Sequence, residues 1–225
     1  MAIDWDAVEE LQGDAEGQRK RGDRLRKDGD EAGARAAFEI AEARLRKCLK
    51  VLEETPTSET AVARAETLGS LAGILRRTTR NEEAFELYSK GAEVERQYRL
   101  PSTYNRVNRL KYMLLTGKST LSGLEREIRE SANVLNDSLN DPRDQRAGDS
   151  AWSWADLGDC LTLLGDLDAA GRAYATFIRK ASLKSPETTL DVLRNISKAL
   201  EENDKAGARR VNDAVGFLES QLVNR

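Results

Sequence analysis

Four prolines divide this chain of 225 residues, and their spacing constrains the fold more than any other feature. Pro56, Pro101, Pro142 and Pro186 lie 45, 41 and 44 residues apart. A proline inside a helix loses a backbone hydrogen bond and clashes with the preceding turn. Regular prolines in a chain of helix formers therefore predict a repeating helical unit. Between them fall softer breaks: Asp28-Gly29-Asp30, Thr79-Arg80-Asn81, Thr116-Gly117-Lys118, Gly165-Asp166 and Asn203-Asp204. Gly and Asn tolerate the left-handed conformation that ends a helix. Each unit then reads as helix A, tight turn, helix B and a Pro-containing linker.

The apolar spacing agrees. Over 31–54, Ala34, Phe38, Ala41, Leu45, Cys48, Leu49 and Leu52 recur at intervals of three and four, one face of an α-helix. Over 186–203, Ser185 is a good N-cap and Pro186 a good first helical residue, and Leu190, Leu193, Ile196 and Leu200 form the stripe. No strand-like alternation persists. The expected architecture is all-α: ten helices in five antiparallel pairs, about 1–55, 56–100, 101–141, 142–184 and 185–225, in one domain. A single pair leaves an apolar face uncovered, so neighbouring pairs must stack.

Two pairs carry a recognisable pattern. Trp154, Leu157, Gly158 and Leu161, then Ala170, Tyr174 and Phe177, occupy the fourth; Leu71, Ala72 and Leu75, then Ala84, Tyr88 and Gly91, occupy the second. Gly22, Leu25, Ala34, Phe38 and Ala41 follow it loosely in the first, and the fifth shows only Ala199, Ala208 and Val215. This resembles the tetratricopeptide repeat family, whose helix A carries W-x-x-L-G-x-x-Y and helix B A-x-x-x-F-x-x-A. The unit is longer than that family's 34 residues and equals the period of HEAT and armadillo repeats; the small-residue pattern decides for a divergent, bacterial-type relative of the tetratricopeptide family. In the third pair, Leu124, Ile128, Ala132 and Leu135 begin several residues late. The resemblance implies a right-handed solenoid whose A helices line a concave, peptide-binding face.

Catalytic signatures are missing. The chain has no histidine, and Cys48 and Cys160 are 112 residues apart, so neither the usual general base nor a zinc site is expected. No Gly-rich phosphate loop occurs; Thr116-Gly117-Lys118-Ser119 reads as a helix turn. Paired acids such as Asp156 with Asp159 and Glu201 with Glu202 read as surface charge rather than glycosidase carboxylates. Both cysteines read as buried small hydrophobes. The expectation is a protein without enzymatic activity, cofactor or metal.

Charge narrows the partner. With 36 basic and 39 acidic residues the net charge is −3, which gives no reason to expect nucleic acid. The local run Arg19, Lys20, Arg21, Arg24, Arg26 and Lys27 is interrupted by Asp23 and reads as a solvated face. The segment MAIDWDAVEE lacks an apolar leader core and no run is long enough to span a bilayer, so a cytoplasmic protein is expected.

The expected function is an interaction scaffold (adaptor, inhibitor or regulatory subunit) that takes a protein or peptide on the concave face. In register, that face offers Arg19, Asp23 and Arg26; Glu66, Gly69, Gly73 and Arg76; Tyr104, Val107, Lys111 and Leu114; and Trp152, Asp159 and Thr162. The expected contact set is Arg76, Tyr104, Lys111, Trp152 and Asp159, where aromatics give contact area and charges orient the ligand. The carboxylate clamp of chaperone-binding relatives is not matched: its positions carry Arg19, Asp23, Ser70, Trp152 and Asp156. The alternative is a nucleic-acid or nucleotide-signal binder using Arg106, Arg109 and Lys111 with Tyr104 and Tyr112.

Overall fold

A computed structural model describes residues 3–141, 150–181 and 185–223. These residues form ten helices and no strand. In chain order they are α1 (Trp5–Lys27), α2 (Glu31–Glu53), α3 (Ala61–Arg77), α4 (Asn81–Gln97) and α5 (Tyr104–Leu115). There follow α6 (Leu121–Asn140), α7 (Ala151–Leu164), α8 (Leu167–Lys180), α9 (Ser185–Leu200) and α10 (Lys205–Val223). Pro142 lies outside the described residues, as does the side chain of Ser185, so the cap expected there is not placed. The chain divides into two compact units, Met1–Leu100 and Pro101–Arg225.

The hairpin turns are chemically specified. Gly29 at φ 84° and Gly165 at φ 86° end α1 and α7 in the left-handed region, where a Cβ is costly. An aspartate then caps the next helix: Asp30 accepts from the Gly33 N–H at 2.8 Å, Asp166 from Ala169 at 3.0 Å and Asp204 from Gly207 at 2.8 Å. Between α3 and α4 the left-handed residue is Thr79, at φ 62°, and Asn81 opens α4 instead.

Three residues past the first residue of four of the five B helices sits a buried alanine: Ala34, Ala84, Ala170 and Ala208; the third pair has buried Leu124 there. Four further on, the first, second and fourth pairs place Phe38, Tyr88 and Tyr174, each fully buried. Sixteen residues earlier stand Gly22, Ala72 and Gly158, and the two glycines face the rings of Phe38 and Tyr174 directly. A Cβ on Gly22 or Gly158 would lie 2.5 Å from the facing ring. The small residue is what lets the two backbones approach around the ring.

In the first unit, α1 packs on α2, α2 on α3 and α3 on α4. The α3 stretch Thr67-Leu68-Gly69-Ser70-Leu71-Ala72-Gly73-Ile74-Leu75 is buried at every position except Ser70, because this helix has neighbours on several sides. The second unit departs from a plain row of hairpins. Here α5 and α6 touch lightly; α6 packs on α7, and α5 reaches α9 and α7. A five-residue turn, 116–120, with Gly117 at φ 66°, separates α5 from α6 and explains the late start of the third stripe. One apolar core runs through this unit from Val107 to Leu218.

Candidate interaction sites

In the first unit, α1 and α3 meet through polar side chains. Gln12 Nε2 donates to Thr67 Oγ1 at 3.0 Å, and the Arg26 guanidinium donates to the Arg77 carbonyl at 3.0 Å. Asp23 is the hub of the pair: its carboxylate receives Arg19 from its own helix at 2.8 Å and Arg77 from α3 at 2.8 Å. Arg26 also lies over the Phe38 ring, 4.9 Å from its centroid. Arg19 donates to both Glu16 oxygens, and this contact, against some burial, holds the Glu16 carboxyl below its ordinary range.

Above this network opens a cleft of about 300 Å³ lined by Gln12, Ala15, Glu16 and Arg19 of α1, Leu45 of α2, and Glu66, Ser70 and Ile74 of α3. Its floor is apolar: Ala15, Leu45 and Ile74 are 2%, 3% and 1% exposed. Its rim carries the charged and polar groups. The face of α3 turned to α1 therefore runs Thr67, Ser70, Ile74 and Arg77, whereas Gly69 and Gly73 are buried. Arg76 is exposed, one position round the helix from Arg77.

The basic run on α1 is answered largely within its own helix, where Arg19 and Lys20 pair with Glu16 and Arg19 also with Asp23. Across the hairpin, Asp14 of α1 meets Arg44 of α2 at 3.6 Å. At the turn end, Arg26 meets Glu31 at 3.4 Å. Antiparallel pairing thus places opposite charges side by side, and a mixed face results.

In the second unit the ammonium of Lys111 bridges two α7 carboxylates, Asp156 at 2.9 Å and Asp159. Asp159 also accepts from the Tyr174 hydroxyl of α8 at 2.7 Å, and Thr162 Oγ1 lies 3.3 Å from that hydroxyl. The Lys111 side chain is only 13% exposed. Burial works against its charge, but the two carboxylates outweigh it and hold the ammonium above its usual range. Burial, with Asp159 beside it, pushes the Tyr174 phenol well above its ordinary value. Asp156 and Asp159, expected at the surface, are 8% and 2% exposed. The i, i+3 spacing that suggested a surface pair instead turns both toward one lysine. Cys48 and Cys160 are buried free thiols, and burial raises both.

The five expected contact residues therefore fall in three settings. Lys111 and Asp159 are paired with each other inside the second unit. Tyr104 and Trp152, on the first turns of α5 and α7, are 41% and 47% exposed, and the Trp152 ring also sits 5.7 Å from buried Phe177 at a 41° tilt. Arg76 belongs to the first unit. Of the alternative set, Arg109 is tied to Glu127 at 2.6 Å and Tyr112 is buried. Gln12, Ser70 and Arg77 were missed as cleft and network residues. The signal was faint: Val62, Glu66 and Ser70 form the exposed line, at intervals of four, along an otherwise well-covered helix.

Among the described residues no group of three or more His, Cys, Asp or Glu side chains is placed to hold a metal ion, and no helix is long and apolar enough to cross a membrane. No family model matches the chain, and no curated protein matches it in sequence.

Proposed function

We propose that the chain is a divergent relative of the tetratricopeptide repeats and acts, without enzymatic activity, as a scaffold that holds a segment of another protein against its A helices. The family reading is supported by the three pairs, Gly22 with Phe38, Ala72 with Tyr88 and Gly158 with Tyr174, all sixteen residues apart and buried or in ring contact. The binding reading is carried by the α1–α3 cleft, which joins an apolar floor to a polar rim built by two A helices. Such a combination gives desolvated contact area and orienting groups in one place. Exposed Arg76, Tyr104 and Trp152 are the further contact points of this reading. The nucleic-acid alternative has less support, because Arg109 and Lys111 already spend their charge on Glu127, Asp156 and Asp159.

The test is affinity capture with mass spectrometry from the native host, comparing the natural chain with Ser70→Trp and with Arg76→Glu. Ser70 is exposed on the rim, so a tryptophan there fills the cleft while leaving the fold intact. The expected result is a partner recovered by the natural chain and lost by Ser70→Trp at an unchanged melting temperature. An identical set of captured proteins for all three chains refutes this site.

A further inference from the structure

We propose that α7 and α9 form a helix-binding seat that α5 fills as an internal ligand, and that an amphipathic helix from a partner protein binds there by displacing it. The inference goes beyond the scaffold reading and does not rest on it, because the cleft of that reading lies in the first unit and this seat in the second.

Three observations mark α5 as a docked segment. The first is its packing. The hairpins α1 with α2, α3 with α4, α7 with α8 and α9 with α10 pack closely, whereas α5 touches α6 lightly and packs instead on α9, with further contact to α7. Its Val107, Leu110 and Leu114 enter the same apolar core as Leu157 of α7 and Leu193 and Ile196 of α9. The second is its weak ends. Thr103 makes no side-chain cap on α5, whereas Thr120, Ser150, Asp166 and Asp204 cap α6, α7, α8 and α10. The first turn of α5 has no acid, and its last turn no base, to meet the helix dipole. A twelve-residue helix with such ends is marginal on its own, so α5 takes its order from the seat. The third is its tethers. Pro101 bars a continuous helix on one side, and the turn 116–120 with left-handed Gly117 separates α6 on the other. Release of α5 therefore leaves α6 wound.

The seat defines what else fits it. Val107, Leu110 and Leu114 fall at i, i+3 and i+7, one face of a helix, the spacing with which an amphipathic helix enters a groove. Beside them Lys111 is the cation that buried Asp156 and Asp159 both meet. Asp159 is also held by the Tyr174 hydroxyl of α8, so its carboxylate keeps its place whatever fills the seat. A buried carboxylate pair without a cation is costly. A competing helix therefore needs apolar residues at this spacing and a lysine directly after the second of them, while an acid at that position meets like charge.

Two measurements test this. The first is native-state hydrogen exchange by NMR on the full chain in mild urea. The amides of Leu110 and Leu114 should exchange together, about tenfold or more faster than those of Leu157, Cys160, Leu193 and Ile196, whose side chains are also buried. One common rate overturns the proposal, because α5 then leaves only when the whole unit unfolds. The second uses a fluorescent peptide of residues 103–117 as probe. It should bind the full-length Lys111→Asp chain about tenfold or more tightly than the natural chain, whose own α5 holds the seat. The same peptide carrying Lys111→Asp should bind that variant about tenfold more weakly, and the amide shifts caused by the first peptide should fall on α7 and α9. Equal binding of the two peptides, binding to the natural chain as tight as to the variant, or shifts confined to the first unit overturns the proposal. Where Lys111→Asp does not fold, the exchange rates of the natural chain decide alone.

Discussion

A Cβ added to Gly158 would lie 2.5 Å from the Tyr174 ring, so this glycine is fixed by packing and not by backbone conformation. Gly158→Ala gains up to about 1 kcal/mol of helix propensity but forces the ring to move, and overpacking of this kind costs about 1–3 kcal/mol. A net loss of stability is expected in urea melts, and Gly22→Ala should behave alike against Phe38. Removing the ring itself, Tyr174→Ala, should cost on the order of 3 kcal/mol, and an unchanged midpoint would refute the packing register. The opposite sign is expected at Thr79. It is β-branched at φ 62°, where its counterparts Gly29 and Gly165 have no Cβ to strain. Thr79→Gly should stabilise by roughly 0.5–1 kcal/mol, the balance between relieved left-handed strain and added chain entropy. A lower urea midpoint would mean that the Thr79 hydroxyl, which donates to the Thr78 carbonyl at 2.6 Å, outweighs the strain. Such residues were readable in advance to different degrees. The glycine opposite an aromatic is a spacing in the chain; the positive φ of Thr79 is not, because the backbone turn that Gly29 and Gly165 make is made here by a residue type that does not announce it.

Helix α5 is the element whose position depends most on charge. It is twelve residues long, touches its hairpin partner lightly, and is tied to α7 by Lys111 between Asp156 and Asp159. Breaking this cluster from one side strands the other. Lys111→Met leaves two carboxylates facing each other in a buried site and should cost about 3–5 kcal/mol, whereas Lys111→Met with Asp156→Leu and Asp159→Leu should recover much of that loss. The same cluster sets an alkaline limit. Lys111 holds its proton more tightly folded than unfolded, so its contribution is present below the ordinary lysine range, about pH 10.4, and is lost as pH rises further. Tyr174 acts in the same direction: above about pH 10 the unfolded chain releases a phenol proton that the buried residue keeps. Urea midpoints measured from pH 8 to 11 should fall above pH 10, and less steeply in Tyr174→Phe; identical slopes would remove Tyr174 from the effect. Helix boundaries were legible because Gly, Asp and Pro write them locally. The face each helix presents was not. The expected line Gly69–Gly73–Arg76 is one residue off the observed Ser70–Ile74–Arg77, a shift of 100° that a helix covered on several sides does not betray. That Lys111 and Asp159 would satisfy each other, 48 positions apart, is likewise a property of packing and not of pattern.

At the scale of the whole chain, the apolar cores respect the division at Leu100 and Pro101. The clusters of the first unit draw on Val8 to Leu100, and that of the second on Val107 to Leu218. Each unit thus buries its own interior, which is the physical criterion for folding alone. The first unit holds two complete hairpins stacked on each other, the smallest arrangement in which one pair covers the inner face of the next. Every residue of the cleft, from Gln12 to Ile74, lies within it. A fragment of residues 1–100 is therefore expected to melt cooperatively in urea and to capture the same partner as the full chain. A broad, non-cooperative transition would mean that the first core needs the second unit to persist. A cooperative fragment that captures no partner would instead require groups beyond residue 100 for binding, and would move the search to exposed Tyr104 and Trp152. The two outcomes separate folding from recognition, because the core clusters and the cleft rim use different side chains of the same helices: Leu11, Leu68 and Leu71 inward, Glu16, Glu66 and Ser70 outward.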